Sequence, residues 1–152
     1  MARKNNISIG NCGEYFVAAE LERRGFSVAV PMSNTPAFDL LAIQRSNLSN
    51  QVAIQVKTNS GSGDNWSMSE KNENIIGNNI FYVLVRLSAL GSPDFFVVPS
   101  KYVAEYVKTN HQKWLDTPGK KGQKHNDNPM RKFRFPDGDE ERFKDAWDLM
   151  EK

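Results

Sequence analysis

The sequence predicts an α/β fold in which a central mixed sheet is flanked by helices on both faces. Hydrophobic residues recur at helical spacing near both ends of the chain, whereas the segments between them alternate at period two or are continuously apolar. The run from Ile80 to Val85 is apolar throughout, which is expected of a strand covered on both faces. With 152 residues the chain can bury a core of its own. We therefore expect residues 1–152 to form a single domain.

The first part of the chain predicts one helix followed by three strands. A helical pattern begins at Ile9 and ends at Arg24, before the helix-stopping Gly25. Its apolar side is predicted to carry Cys12, Phe16 and Ala19, together with Arg23 or Leu21. The strands are predicted over residues 26–30, 37–44 and 51–57, with a polar loop at 33–36.

The second part predicts a short helix, two strands and two further helices. The spacing of Ser67 and Glu70 predicts a capped short helix that reaches about Ile76. Strands are expected over 80–85 and 94–98, and Ser100 is the predicted N-cap of the next helix. A basic irregular segment is expected at about 111–135, and a C-terminal helix at about 139–151.

The second and third strands predict a hairpin that gathers polar side chains. With a five-residue loop from Ser46 to Asn50, Asp39 lies opposite Lys57. Because side chains alternate along a strand, Asp39 then shares one face with Gln55 and Lys57. Their neighbours are apolar, and polar groups are costly to bury without a reason. This convergence marks a candidate site.

The chemistry of these groups suits phosphodiester hydrolysis. That reaction needs a cation to neutralise charge, an activated water, and a group near the attacking or leaving oxygen. The Asp39 carboxylate can ligate a divalent cation, and the Gln55 amide and Val56 carbonyl are hard oxygen donors suited to Mg²⁺. The Lys57 ammonium can orient the water or stabilise charge.

Phe38-Asp39, a hairpin and Gln55-Val56-Lys57, preceded by Gly13-Glu14 on a helix, resemble the PD-(D/E)XK nuclease superfamily. That superfamily includes archaeal-type Holliday junction resolvases and modification-dependent restriction endonucleases. The resemblance implies a restriction-endonuclease-like α-β-β-β-α-β core, Mg²⁺ or Mn²⁺ as cofactor, and DNA, duplex or branched, as partner. By position it implies Glu14 and Asp39 as metal ligands and Lys57 as the catalytic lysine.

Two functions are compatible with this pattern. The first is a metal-dependent DNA endonuclease of the restriction or recombination and repair type. The resemblance implies a homodimer for it, because small nucleases of this fold must handle two strands. The second is a catalytically inactive binding protein of the immunity or antitoxin kind. Gln55 keeps the choice open, because it stands where Asp or Glu is usual and removes one negative charge. Similar Gln-x-Lys variants occur in the modification-dependent branch.

Glu14 has an alternative explanation as an acid that interacts with the dipole of its own helix. Glu20 and Glu22 on the same helix compete with it as ligands. His111 and His125 lack the convergent spacing of a zinc site. The three tryptophans are expected in the core or in subunit contacts rather than as base-stacking platforms, with Trp66 the least settled because it follows a loop near Lys57.

Charge is spread unevenly along a chain whose net charge is +2. Residues 108–134 contain eight Lys or Arg against two acids, whereas 135–152 contain three against seven. Such asymmetry can build a basic face on a nearly neutral protein. The candidate phosphate contacts are Lys120, Lys121, Lys124, Arg131, Lys132 and Arg134. The alternative is a solvated flexible loop.

Bulk properties favour a cytoplasmic protein with no membrane association. No segment approaches the length of apolar sequence that a membrane span needs. The basic N-terminus is not followed by the apolar region of a secretory signal. The single cysteine, Cys12, excludes an internal disulfide.

Overall fold

A computed structural model of the protein describes residues 5–32, 37–61 and 63–152. The predicted loop at 33–36 lies outside this part of the chain. The helices are α1 (Asn6–Arg23), α2 (Ser100–Asp116) and α3 (Asp139–Phe143), with short 3₁₀ helices at Glu70–Asn74 and Trp147–Met150. The strands are β1 (Phe26–Ala29), β2 (Leu40–Gln44), β3 (Gln51–Asn59), β4 (Asn65–Ser69), β5 (Ile80–Arg86), β6 (Asp94–Pro99) and β7 (Met130–Arg134).

Five strands form one mixed sheet in the order β1-β2-β3-β5-β6. The first three strands pair antiparallel, β3 and β5 pair parallel, and β6 returns antiparallel to β5. β4 and β7 form a separate two-stranded antiparallel sheet. The predicted α/β class and mixed central sheet are confirmed.

Helices cover both faces of the central sheet, as predicted. On one face, Val17 and Leu21 of α1 pack with apolar residues of β2, β3, β5 and β6, together with Trp147 and Met150. On the other face, Val103 and Val107 of α2 and the aromatic residues of β4 and β7 pack against Tyr82 and its neighbours. Because β5 is buried on both faces, it reads as a nearly continuous apolar run in the sequence. None of the described helices combines the length and apolar character needed to cross a membrane.

The apolar side predicted for α1 is correct at Leu21 and wrong at Phe16. The buried stripe is Gly13, Val17 and Leu21, whereas Phe16 is exposed. A Cβ placed at Gly13 would lie 1.9 Å from the Thr58 Oγ1 atom, so only glycine allows the helix to approach β3 here. This backbone contact, rather than the largest side chains, fixes which side of α1 faces the sheet.

The predicted hairpin register is wrong by two residues. Leu40 pairs with Ile54, so that continuing the ladder brings Asp39 beside Gln55 instead of Lys57. Arg45 leaves the hairpin, because its backbone N–H bonds the Gly25 carbonyl at 2.8 Å and its guanidinium contacts Glu22. A shift of two preserves which residues share a face, so the convergence of Asp39, Gln55 and Lys57 survives.

Two predicted helix caps differ from the structure. Ser67 lies within β4, and the capping box is formed by Ser69 and Asn72 at the start of the 3₁₀ helix. Ser100 is the first residue of α2 and is buried, and its hydroxyl bonds both the N–H and the carbonyl of Gly77, at 3.0 and 3.1 Å. A serine lies near each predicted cap, but tertiary contacts determine which groups its hydroxyl bonds.

The regions predicted at 111–135 and 139–151 are more structured, and differently so. α2 continues to Asp116, and 130–134 is the strand β7. The C-terminal helix is interrupted after Phe143, because Lys144 bridges to Phe96 and the Asp145 N–H bonds the Phe95 carbonyl at 2.9 Å. Asp145 consequently adopts a positive φ of 50°. Pairing with β6 thus interrupts a helical pattern.

Candidate active site

Asp39 lies immediately before β2 and is held against β3 by three hydrogen bonds. Its backbone N–H donates to the Ile54 carbonyl at 2.8 Å. Its Oδ2 accepts the Gln55 Nε2–H at 2.5 Å and the Val56 backbone N–H at 2.8 Å. Among the described residues, both hydrogen bonds to this carboxylate use Oδ2 and none uses Oδ1.

Gln55 and Lys57 project from the face of the sheet that α2 covers. Gln55 is the register partner of Tyr82, and Lys57 is the partner of Leu84. Tyr82 and Leu84 belong to the core beneath α2, so their parallel partners point to the same side. Gln55 is buried, whereas Lys57 is half-exposed. The ammonium of Lys57 acts on Asp39 through its electric field, which lowers the Asp39 pKa against a larger effect of burial.

Glu14 is the acid of α1 that interacts electrostatically with Asp39. Burial raises the pKa of Glu14, and the negative charge of Asp39 raises it further. Its competitors are engaged elsewhere: Glu20 forms ion pairs with Arg23 and Arg24, and Glu22 pairs with Arg45. The close approach at Gly13 brings α1 against β3 directly before Glu14.

The two carboxylates favour a cation between them. Burial also raises the pKa of Asp39, although the Val56 N–H and Lys57 oppose the shift. Two partly desolvated carboxylates that repel one another lower their free energy by binding a positive ion. No cluster of three His, Cys, Asp or Glu suited to a metal occurs within residues 5–32, 37–61 and 63–152. Further oxygens must therefore come from amides, the backbone or water, which suits Mg²⁺.

Gln55 presents its amide nitrogen to Asp39. Rotating the amide by half a turn would place Oε1 in the same position, since the two ends of the group have the same shape. The residue can therefore bond Asp39 with one end or offer an oxygen with the other. The Val56 N–H donates a hydrogen bond to Asp39. The Val56 carbonyl remains a predicted metal ligand. The donor chemistry at Glu14, Asp39 and Gln55 thus fits a hard divalent cation.

Tyr82, within the predicted apolar strand at 80–85, lies beside the candidate site as the register partner of Gln55. Its hydroxyl is fully buried and accepts the Asn72 Nδ2–H at 2.7 Å. Because Asn72 donates, the phenolic hydrogen must point elsewhere. Burial raises the pKa of Tyr82, and Asp39 adds to the shift, which places the hydroxyl within the field of the site. The pairing of Tyr82 with Gln55 across two parallel strands is what brings Tyr82 to the site. This pairing could not be predicted, because the sequence does not show which strands are neighbours.

The six predicted phosphate contacts fall into three groups. Arg131 is only 8% exposed and its Nε bonds Glu73 at 2.5 Å, so its guanidinium is committed to the fold. Arg134 forms an exposed ion pair with Asp64 at 2.8 Å, and Lys132 is exposed on β7. The exposed loop after α2 carries Lys120, Lys121 and Lys124. Thus Arg131 does not fit its predicted role, whereas the other five can reach solvent.

The tryptophans differ in burial. Trp66 is 1% exposed and its Nε1–H donates to the Val85 carbonyl at 3.0 Å, so it lies in the core, as expected of the tryptophans. Trp147 is 4% exposed and belongs to the core, as predicted. Trp114 is 38% exposed on α2.

The fold resembles that of a solved homing endonuclease, whereas a solved resolvase superposes less well. A bacterial homing endonuclease superposes with a TM-score of 0.58 at 13% identity, over 97% of this chain and 92% of the other. A Holliday junction resolvase from the archaeal hyperthermophile Archaeoglobus fulgidus gives a TM-score of 0.46 at 15% identity, over 82% and 83% of the two chains. No protein-family model matches the sequence, and no curated protein matches it.

Proposed function

Because the chain has the restriction-endonuclease-like fold of the PD-(D/E)XK nucleases, we propose that it is a divalent-metal-dependent DNA endonuclease. One observation supports the proposal: the Asp39 carboxylate accepts hydrogen bonds from Gln55 and Val56 and interacts electrostatically with Glu14 and Lys57. The homing endonuclease that shares the fold is consistent with this activity. In this proposal Glu14, Asp39 and Gln55 bind the cation, with the Val56 carbonyl beside them.

Each residue has a distinct task. Asp39 is oriented by the Val56 N–H, which leaves Oδ1 for ligation. Glu14 supplies the second charge, and Gln55 supplies a neutral oxygen once its amide turns. When bound, Mg²⁺ or Mn²⁺ would neutralise charge on the phosphate and increase the acidity of a bound water. The Lys57 ammonium donates hydrogen bonds to the attacking water or to a phosphate oxygen.

The DNA backbone is proposed to follow the basic surface around β7. Lys132 and Arg134 extend from this strand, and the lysines of the preceding loop continue the positive charge. The Arg134–Asp64 pair is exposed and worth little, so a phosphate can replace Asp64 at small cost. Each phosphate neutralised by a lysine or arginine releases counterions and makes binding sensitive to salt.

Plasmid and branched DNA cleavage tests the proposal directly. The wild-type protein should cut only with Mg²⁺ or Mn²⁺, and chelation should stop the reaction. Asp39→Asn and Lys57→Met should abolish cutting. Persistent cutting by both variants would rule out this site.

Matched control variants separate site effects from general effects of charge. Glu14→Gln should reduce cutting strongly, whereas Glu20→Gln, on the same helix but paired with Arg23 and Arg24, should retain it. Lys101→Met removes an exposed lysine from α2 and is the control for Lys57→Met. Equal losses in a site variant and its control would count against the assignment.

A second candidate function is a non-enzymatic binding protein of the same fold, and the Gln55–Asp39 hydrogen bond is the observation that favours it. A site that keeps this bond holds Asp39 without a metal. Calorimetry that detects no binding of Mg²⁺ or Mn²⁺ at millimolar concentration, with tight binding to a protein partner, would select this function. The homodimer expected for a nuclease acting on two strands stays a prediction, to be checked by sedimentation at micromolar protein.

A further inference from the structure

A second concave site lies between the C-terminal half of α2 and β7. It has a volume of about 320 Å³, within the range of small-ligand pockets. Its lining combines aromatic rings, amides, a thioether and a cation, contributed by Asn110, His111, Trp114, Asn128, Met130 and Lys132. Nothing in the proposed metal chemistry uses these groups.

The rings at this pocket are arranged as a stack. Trp114 lies 4.1 Å from His125, with an angle of 24° between the ring planes, and 5.4 Å from His111. His111 is fixed by a 2.7 Å contact between Nε2 and the Asp127 carboxylate. Trp114 and Met130 nevertheless remain 38% and 68% exposed. An exposed indole held by its neighbours is a preorganised surface for another planar ring.

The polar groups around the stack match the edges and charge of a nucleotide. Asn110 and Asn128 bring side-chain amides, which can donate to and accept from a base edge. The exposed Lys132 supplies a cation for the attached phosphate. Residues 108–134 hold eight basic and two acidic residues, so the surroundings favour an anionic ligand.

The short 3₁₀ helix connects this pocket to the candidate active site. Asn72 bonds the Tyr82 hydroxyl opposite Gln55, and the next residue, Glu73, bonds Arg131 at the pocket wall. Val107 contributes both to the core under α2 and to the pocket. The pocket and the polar side chains of β3 therefore open on the same side of the central sheet.

We propose that the pocket formed by His111, Trp114 and Met130 binds an unpaired nucleobase of a nucleic-acid strand, with Lys132 on the adjacent phosphate. The inference rests on the proposed nucleic-acid substrate and specifies a structural requirement: a base outside the duplex. A junction, flap, mismatch or single-stranded end satisfies it. Fully paired DNA engages only the phosphate contact.

Tryptophan fluorescence tests the pocket in the unmodified protein. Trp66 and Trp147 are 1% and 4% exposed, so Trp114 is the tryptophan that a ligand can reach. In chelator, an oligothymidine strand of about eight nucleotides should quench the emission, and an abasic strand of equal length should not. Equal quenching by both strands, or none by either, would overturn the proposal.

Fluorescence anisotropy with labelled strands supplies the variant test. Trp114→Ala should weaken binding of oligothymidine by about 5- to 150-fold, the effect of losing one stacked base, and leave abasic binding unchanged. Trp114→Phe should recover most of the affinity. Lys132→Ala should weaken both strands equally, whereas Lys101→Ala, the exposed control on α2, should change neither.

The outcomes separate this inference from the proposed endonuclease. Because binding is measured in chelator, a protein that fails to cut can still show base-dependent quenching. A protein that cuts DNA without such quenching would contradict the base pocket and leave the proposed endonuclease intact. If neither strand binds and a protein partner instead protects Trp114 from acrylamide quenching, the surface is a protein interface and the base pocket is wrong.

Discussion

Gln55 donates its amide hydrogen to the same Asp39 oxygen that accepts the Val56 backbone N–H, at 2.5 and 2.8 Å. This shared oxygen fixes the aspartate, compensates part of its burial and leaves its second oxygen for ligation. The same contact depends on a neutral amide at position 55. A carboxylate at position 55 would face Asp39 as a like charge.

Gln55→Glu should lower the stability of the metal-free protein and increase its affinity for metal. Without metal, the new carboxylate repels Asp39 and removes the amide donor, so the melting temperature should fall. With Mg²⁺, the third negative charge should increase affinity, measured by calorimetry. The neutral control Gln55→Met should lower stability without the gain in affinity. An unchanged metal affinity in Gln55→Glu would show that this side chain is not a ligand.

Asp39→Asn should stabilise the metal-free protein at neutral pH. The fold raises the pKa of both Asp39 and Glu14, so folding favours their protonated forms. That contribution is fully present below the ordinary carboxyl range, near about pH 4, and is lost as the pH rises through the raised folded pKa values. The variant's advantage in chemical unfolding should therefore be larger at pH 7.5 than at acid pH.

With metal bound, the wild type should be more stable than Asp39→Asn. A cation at a hundredfold excess over its Kd stabilises the wild type by about 2.7 kcal/mol, whereas Asp39→Asn should gain almost nothing. Thermal melts with and without Mg²⁺ measure the difference. A variant stabilised by Mg²⁺ as much as the wild type would place the binding site elsewhere.

Gly13→Ala should damage both stability and the site. The added Cβ would lie 1.9 Å from the Thr58 Oγ1 atom and 3.0 Å from its Cβ, so α1 must move away from β3. Overpacking of this kind costs about 1–3 kcal/mol, and it displaces Glu14 from Asp39. Gly10→Ala is the matched control, because no atom lies within 4 Å of its added Cβ. It should stabilise α1 by about 0.5–1 kcal/mol.

Arg131 and Lys132 should behave oppositely although they are neighbours on β7. Arg131→Ala leaves the largely buried Glu73 unpaired and should cost about 3–5 kcal/mol of unfolding free energy. Lys132→Ala should leave stability unchanged and reduce the salt dependence of DNA binding by about one phosphate contact. Urea unfolding and affinity measured over a range of salt concentration test the pair. A stable Arg131→Ala protein that binds DNA poorly would restore the phosphate role predicted for Arg131.

Tyr82→Phe tests whether the buried hydroxyl contributes to the site. The change leaves the Asn72 Nδ2–H without its acceptor, which should cost about 1–3 kcal/mol. A positioning role predicts, in addition, a shifted pH profile for metal-dependent cutting, because the pKa of Tyr82 is coupled to Asp39. A loss of stability with an unchanged profile would assign Tyr82 to the core alone.

The sequence by itself determined the class of fold and the candidate site. Periodicity separated helices from strands, and polar residues in apolar strands identified Asp39, Gln55 and Lys57. Their shared face depends only on the alternation of a strand, so it survived a register error of two residues. Glu14 was suggested by resemblance, and the choice among the three acids of α1 needed the structure.

Only the tertiary structure decided the features that depend on distant partners. Arg45 bonds Gly25 and Glu22 instead of pairing within the hairpin. Gly13 allows α1 to contact Thr58. Lys144 pairs with Phe96 where a helix was predicted. The same contacts committed Arg131 to Glu73 while leaving Trp114 exposed. Local pattern fixes which face a side chain takes, whereas the free energy of contacts across the fold decides which neighbour it meets.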